Sequence, residues 1–153
     1  MKKQLLLFAF SMLALISCED DNVQGYEMDM LKGEWKTSMR EIVSGKDNKT
    51  VLKSVTPTGC SAKDITQFRT DYYTAYTSYD GDGLDCHING KIEGKFTYDT
   101  ETKEMTVNYA DNTSLKYKVI ILSSSELKLM ELFDVVDFNG DGVNDSTYIT
   151  YKR

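Results

Sequence analysis

Ile92-Glu93-Gly94-Lys95-Phe96-Thr97-Tyr98 alternates between apolar and polar positions. A period of two puts Ile92, Phe96 and Tyr98 on one face and Glu93, Lys95 and Thr97 on the other, the signature of a half-buried β-strand. Met105-Thr106-Val107-Asn108-Tyr109 repeats the pattern, and Leu115, Tyr117, Val119 and Ile121 form a third such face opposed by Lys116 and Lys118. Threonine and tyrosine are abundant. The single proline, Pro57, leaves most ladders free to form without interruption.

Turn signals punctuate these runs at the spacing of an antiparallel meander. They are Ser44-Gly45-Lys46-Asp47-Asn48, Asp80-Gly81-Asp82-Gly83, Asp99-Thr100-Glu101-Thr102, Ala110-Asp111-Asn112-Thr113, Ser123-Ser124-Ser125 and Asn139-Gly140-Asp141-Gly142. Strands are predicted over 34–43, 49–55, 65–70, 72–79, 91–98, 104–109, 114–121, 126–135 and 147–152. Residues 65–79 also read as one bent strand, so the count is eight or nine. The fold class is all-β, an up-and-down antiparallel barrel or a sandwich. Helix is confined to a short turn over Tyr26–Lys32, with Met28, Met30 and Leu31 for packing, and to Ser61–Asp64. Asn22–Gly25 reads as linker. There are no internal repeats and no low-complexity segments.

The N-terminus carries a different signal. Lys2 and Lys3 precede an apolar run from Leu5 to Ile16, then Ser17, Cys18 and the acidic Glu19-Asp20-Asp21. The run is shorter than the ~18–20 residues a transmembrane helix needs. The segment resembles the lipobox signals of bacterial lipoproteins, which implies removal of residues 1–17, acylation of Cys18 and anchoring in the outer-membrane lipid. Residues 18–29 then form an acidic tether and residues 30–153 the folded domain. Glu19-Asp20-Asp21 resembles the acidic signals that direct lipoproteins to the cell exterior, and it equally suits a solvated linker. The whole chain of 153 residues has a net charge of −6, and cleavage removes two lysines and no acid. Such a balance excludes nucleic acid and anionic lipid head groups as natural partners. Once Cys18 is acylated, Cys60 and Cys86 remain in an oxidising compartment, where a disulfide is expected. The chain is read as a monomer.

Gly33-Glu34-Trp35 opens the first strand directly after the helical turn. With it come Cys60 followed by Asp64, Phe68 before Asp71, Tyr73-Thr74, Cys86, Gly94 before Phe96-Thr97-Tyr98, and a closing Tyr148-Ile149-Thr150-Tyr151-Lys152. Over residues 30–153 this order resembles the small bacterial lipocalin-like lipoproteins. The resemblance implies a lipocalin-like barrel whose base is plugged by Trp35, with Gly33 ending the turn before it. The chain departs from that pattern at Asp71-Tyr72, where the family has an Asp-Gly turn. Thr70-Asp71-Tyr72 copies a second lipocalin motif but stands too early in the chain to serve as one. No arginine is convincingly placed to stack on Trp35; Arg153 is the only late candidate, and it is the last residue.

One local motif offers metal chemistry. Asp137, Asn139 and Asp141 supply side-chain oxygens at alternate positions, Gly142 permits a sharp turn, Val143 offers a carbonyl, and Asp145 follows at the ninth place. This spacing matches the first part of an EF-hand-type calcium loop and resembles the loops of dockerin and thrombospondin-type repeats. Position twelve is Tyr148, so the bidentate acid is missing; Asp134 is an extra candidate ligand. An acidic hairpin loop accounts for the same letters. Asp80-Gly81-Asp82-Gly83-Leu84-Asp85 is a second acidic glycine loop, read mainly as a turn. His87 is the only histidine and has no second ligand to complete a zinc site. No nucleophile motif is present, and Glu93, Asp99 and Glu131 are the carboxylates that a hydrolase would have to bring together.

The aromatic set carries the leading functional expectation. Phe68, Tyr73, Tyr76, Phe96, Tyr98, Tyr109, Tyr117 and Phe133 fall on the predicted strands or beside them. Turned inward in a barrel with a cavity, they make an apolar wall with polar tips for a small apolar or aromatic ligand. In a tighter barrel they fill the interior. The sequence therefore predicts a non-enzymatic, anchored binding protein. The alternative is a surface interaction or structural module with a filled barrel and cation-binding acidic loops.

Overall fold

The computed structural model describes residues 20–83 and 85–153; Cys18 and the segment read as an export signal lie outside them. One helix, α1 (Asp20–Leu31), precedes nine strands: β1 (Gly33–Val43), β2 (Val51–Val55), β3 (Ile65–Phe68), β4 (Tyr73–Asp82), β5 (Asp85–Tyr98), β6 (Glu104–Tyr109), β7 (Ser114–Leu122), β8 (Glu126–Glu131) and β9 (Ser146–Lys152). Every pairing is antiparallel. The order runs β1-β3-β4-β5-β6-β7-β8-β9, and β9 pairs back onto β1, which closes an eight-stranded barrel. β2 is the extra strand. It lies on the edge of β1 that β3 occupies further down, Arg40 facing Val55 and Lys36 facing Ile65. β2 and β3 are thus one row interrupted by residues 56–64, where a 3-10 turn (Gly59–Lys63) leaves the wall.

The two-residue period does what alternation demands. Phe96 and Tyr98, Met105 and Val107, Tyr117 and Val119, and Leu127 and Leu129 are buried, while Lys95, Thr97, Lys116 and Lys118 are exposed. Two strands extend beyond their expected ends: β4 runs to Asp82 and β5 starts at Asp85, so Asp80, Asp82 and Asp85 stand at the tip of a long hairpin. β8 stops at Glu131, short of the expected 135. A register shift between Val119 and Ile121 leaves Ile120 and Ile121 both exposed, so Ile121 leaves the inward face assigned to it. Gly94 answers a different need. A Cβ there would stand 2.2 Å from the Asn108 carbonyl, so only glycine lets β6 come this close.

The closed end is built around Trp35. Its ring is fully buried, and its Nε1 donates to the Leu31 carbonyl at 2.8 Å. The Arg153 guanidinium lies 3.9 Å from the ring centroid, and its Nη2 donates to the carbonyls of Met30, Leu31 and Lys32 at 2.6, 3.3 and 2.6 Å. The last residue is therefore the stacking arginine, contrary to expectation. It also satisfies helix-end carbonyls that have no partner within α1. Gly33, with φ +128°, supplies a backbone conformation that side chains rarely adopt, and a Cβ there would only touch the guanidinium at 3.4 Å. Replacing Arg153 with methionine is expected to cost about 2 kcal/mol, because it removes the charged hydrogen bonds and the cation–π interaction together. Urea denaturation followed by circular dichroism measures it.

α1 is longer than the predicted turn, taking in residues 22–25 that read as linker. Acidic residues at its start favour a helix N-terminus, and Met28 and Leu31 bury against the barrel base. Glu27 accepts from Tyr98 Oη and Lys103 Nζ, fixing α1 across the closed end. The β3–β4 hairpin keeps its tight geometry with tyrosine where the resemblance implies glycine. Tyr72 adopts φ +61°, its ring packs on Phe96 at 5.7 Å, and its hydroxyl accepts from Gln24.

Candidate functional site

Above the Trp35 plug the barrel interior is not filled. A chamber of about 210 Å³ is lined by Thr37, Thr66, Phe68, Tyr76, Val107, Tyr109, Leu115, Tyr117, Leu129 and Tyr151. Four of the eight aromatic residues expected at a ligand site meet here: Phe68, Tyr76, Tyr109 and Tyr117. Phe96 packs edge-on against Phe68 at 5.1 Å and belongs to the core. Tyr98 sits at the closed end with Glu27. Tyr73 faces outward, donating to Glu93 at 2.7 Å beneath the Arg69 guanidinium. Three positions separate Tyr73 from Tyr76, so a regular strand must send them to opposite faces. Phe133 packs edge-on against Tyr117 at 5.5 Å.

The phenols of the chamber are firmly protonated. Burial, with Asp64 as hydrogen-bond acceptor at 2.7 Å, pushes Tyr76 up to about 12. Burial likewise raises Tyr109, Tyr117 and Tyr151. For Tyr117 the neighbouring phenols and Glu131 add to the rise and Arg40 opposes it. Asp64 also accepts from the Tyr79 amide at 2.8 Å, so one carboxylate fixes both Tyr76 and the end of the interrupted row. Among the described residues, the Tyr109 and Tyr117 hydroxyls make no hydrogen bond to the protein.

A second, outer space of about 310 Å³ lies further along the same wall, where Glu131 of its lining faces Tyr117 of the chamber across β7 and β8. Arg40, Ile42, Lys53, Val55, Glu131, Asp134, Val136, Phe138 and Thr147 line it. Arg40 and Ile42 face Ile149 and Thr147 across β1 and β9, and Lys53 and Val55 come from β2. Arg40 Nη2 donates to both Glu131 oxygens at 2.9 Å. Glu131 is 5 % exposed and Arg40 54 %. Burial raises the Glu131 carboxyl above its ordinary range, while the guanidinium charge works against that rise. Arg40, Tyr151, Thr37 and Thr66 are site residues that the aromatic pattern missed. Tyr151 was legible in the closing strand, where it alternates with Ile149. Arg40 was not, because an irregularity between Thr37 and Met39 shifts β1 and turns a charged residue inward.

The acidic loop 132–145 forms one rim of this outer space. Asp137 accepts from the Gly140, Asp141 and Gly142 amides, Asn139 from Asp141, and Asp141 from Val143. Val143 is exposed. Asp145 is buried, and its two oxygens accept from Gly45 at 3.0 Å and Phe138 at 2.7 Å, tying the β1–β2 turn to the loop. Among the described residues no group of three His, Cys, Asp or Glu side chains is placed to hold a metal. Glu93, Asp99 and Glu131 do not converge: Glu93 bonds Tyr73 and Lys91, Asp99 caps its own turn, and Glu131 holds Arg40. His87 is exposed. Cys60 and Cys86 form the expected disulfide, with Cα atoms 5.4 Å apart.

Residues 31–129 match the family model described as a lipocalin-like domain. Several solved structures are similar to the chain at low identity. A deswapped triple mutant of bovine odorant binding protein is 11% identical, with a TM-score of 0.40, covering 81% of this chain and 74% of its own. The bovine lipocalin allergen Bos d 2 is 14% identical, with a TM-score of 0.40 over 82% and 73%. Aphrodisin, a sex pheromone from female hamster, is 9% identical, with a TM-score of 0.37 over 80% and 74%. No curated protein sequence matches the chain.

Proposed function

Because this chain belongs to the lipocalin-like domain family, we propose that it is a non-enzymatic binding protein that holds a small apolar or aromatic molecule inside its barrel. The observation that carries this is the tyrosine-walled chamber with two unspent phenol hydroxyls. Its 210 Å³ lies below the ~300–1,000 Å³ of drug-sized sites and above the ~150 Å³ that accepts benzene in an engineered apolar cavity. A guest filling the chamber alone is therefore about the size of one substituted ring. A longer guest extends into the outer space.

Titration with the fluorescent probe N-phenyl-1-naphthylamine is expected to give saturable, blue-shifted emission, displaced by small aromatic competitors. Tyr109→Phe and Tyr117→Phe are expected to leave the fold intact. Each should weaken a competitor that carries a hydrogen-bond acceptor by about 0.5–1.5 kcal/mol, the net worth of one hydrogen bond. Emission that never saturates would remove the binding role and favour the surface-module alternative.

Export and anchoring belong to the same proposal. Cys18 precedes the start of α1 by two residues, and α1 lies across the closed end of the barrel. Acylation there would tether the closed end to the membrane and direct the outer space away from it. Calcium enters as a weak ligand of the 137–145 loop, through Asp137, Asn139 and Asp141, whose oxygens it would share with the loop's own amides, while Asp145 is buried and tied to Gly45 and Phe138. Three side chains fall short of the six to eight oxygens calcium takes, which sets the expected affinity near the millimolar class. Calorimetric titration with millimolar calcium tests this, and the absence of heat would remove it.

A further inference from the structure

We infer that the guest is an amphiphile with a carboxylate or similar compact anionic head, its apolar end in the tyrosine chamber and its head against Arg40 and Lys53 in the outer space. The inference rests on the binding role proposed above and adds the chemistry of the head group. It follows from which hydrogen-bonding capacity in the two spaces is already used.

Glu131, the buried acceptor that lines the outer space, already takes Arg40 Nη2 on both its oxygens. Apart from the Asp134 carboxylate on the rim, the charged capacity left open is donor capacity. Among the described residues, Nε and Nη1 of Arg40 make no hydrogen bond, and Lys53 forms no ion pair. Arg40 is half exposed on the wall of the outer space, and Lys53 stands beside it across the β1–β2 ladder, Ile42 facing Lys53 and Arg40 facing Val55. Deeper in, the Tyr109 and Tyr117 hydroxyls are also free to donate. A guest that presents acceptors, and negative charge at its outer end, matches this set without displacing any existing bond. A cationic guest would have to expel Arg40 from Glu131 and leave a second cation unpaired. Asp134 on the opposite rim opposes an anion, and its removal should therefore strengthen binding.

Three probes with one carbon skeleton isolate the head: 3-phenylpropionate, 3-phenylpropanol and 3-phenylpropylamine, titrated at neutral pH and low salt into the full folded domain. The carboxylate is expected to bind about tenfold more tightly than the alcohol, the difference made by one charge-assisted hydrogen bond. Arg40→Lys keeps a cation for Glu131 but removes the guanidinium fork, and Lys53→Met removes an exposed charge. Each is expected to shrink the carboxylate's advantage to threefold or less while the alcohol's affinity holds, and Asp134→Asn is expected to enlarge it. Equal binding of carboxylate and alcohol overturns the head-group inference and leaves the binding role standing. Tightest binding of the amine overturns it in favour of recognition by Glu131. If no probe binds and the fluorescent probe also fails to saturate, the binding role itself falls.

Discussion

Trp35→Ala is expected to lower the free energy of unfolding by about 3–5 kcal/mol, the range for deleting a buried large aromatic side chain. Three losses combine. The ring is 0% exposed at the closed end, so its removal leaves a cavity among the side chains of α1 and the barrel base. The Leu31 carbonyl loses the indole N–H that it accepts at 2.8 Å. Arg153 loses the aromatic face on which it stacks at 3.9 Å, and with it the surface that orients its bonds to the end of α1. The substitution should thus loosen α1 as well as the barrel, and residues 20–31 should become sensitive to protease before the strands do. Trp35→Phe keeps most of the ring packing and removes only the donor, so a cost nearer 1–2 kcal/mol is expected. Trp35 is the only tryptophan, so the transition must be followed by circular dichroism rather than indole fluorescence. A midpoint shift worth under 1 kcal/mol for Trp35→Ala would refute the plug.

The closed end of the molecule shows where sequence reading stops. Alternation is a local property, and the strands carrying Phe96, Val107, Tyr117 and Leu129 could be placed with their inward faces from it alone. The pairing of Cys60 with Cys86 followed from counting once Cys18 was set aside. Arg153 capping α1 could not be found in this way, because the residues it serves are more than a hundred positions away and meet it only when β9 closes on β1. Irregularities defeated the period in the same manner. One in β1 turns Arg40 inward, and one in β7 turns Ile121 outward, with no glycine or proline at either place to announce them. Tyr72 in a left-handed conformation is a similar case: its packing on Phe96 and its bond from Gln24 offset a backbone cost that glycine would not carry. The chamber was legible as a list of aromatic residues. Which of them line it required their parity along each strand, and the donor set at its mouth required the irregularity in β1.

Removing the Cys60–Cys86 disulfide is expected to cost about 3–4 kcal/mol, the chain-entropy value for a loop whose ends are 26 residues apart. The disulfide bears on the continuity of the wall as well as on loop entropy. Between β2 and β3 the row along β1 is broken, and residues 56–64 contribute no ladder bonds there. This stretch is held to the rest of the barrel by the disulfide and by Asp64, which binds Tyr76 Oη and the Tyr79 amide. A Cys60→Ser, Cys86→Ser double variant should therefore fold to the same barrel, with an unchanged far-ultraviolet spectrum and a lower urea midpoint. Wild-type protein under strong reductant should match it. Hydrogen exchange should rise first in β3 and in the half of β4 that pairs with it, because the interrupted row then keeps its packing and the Asp64 bonds but loses its covalent tie. Thr66 and Tyr76 of those strands line the chamber, so affinity for an apolar probe should fall in parallel. Equal midpoints for the oxidised protein and the double variant would refute the loop argument. A lower midpoint with unchanged exchange in β3 would confine the effect to the unfolded chain and remove the disulfide from any part in shaping the site.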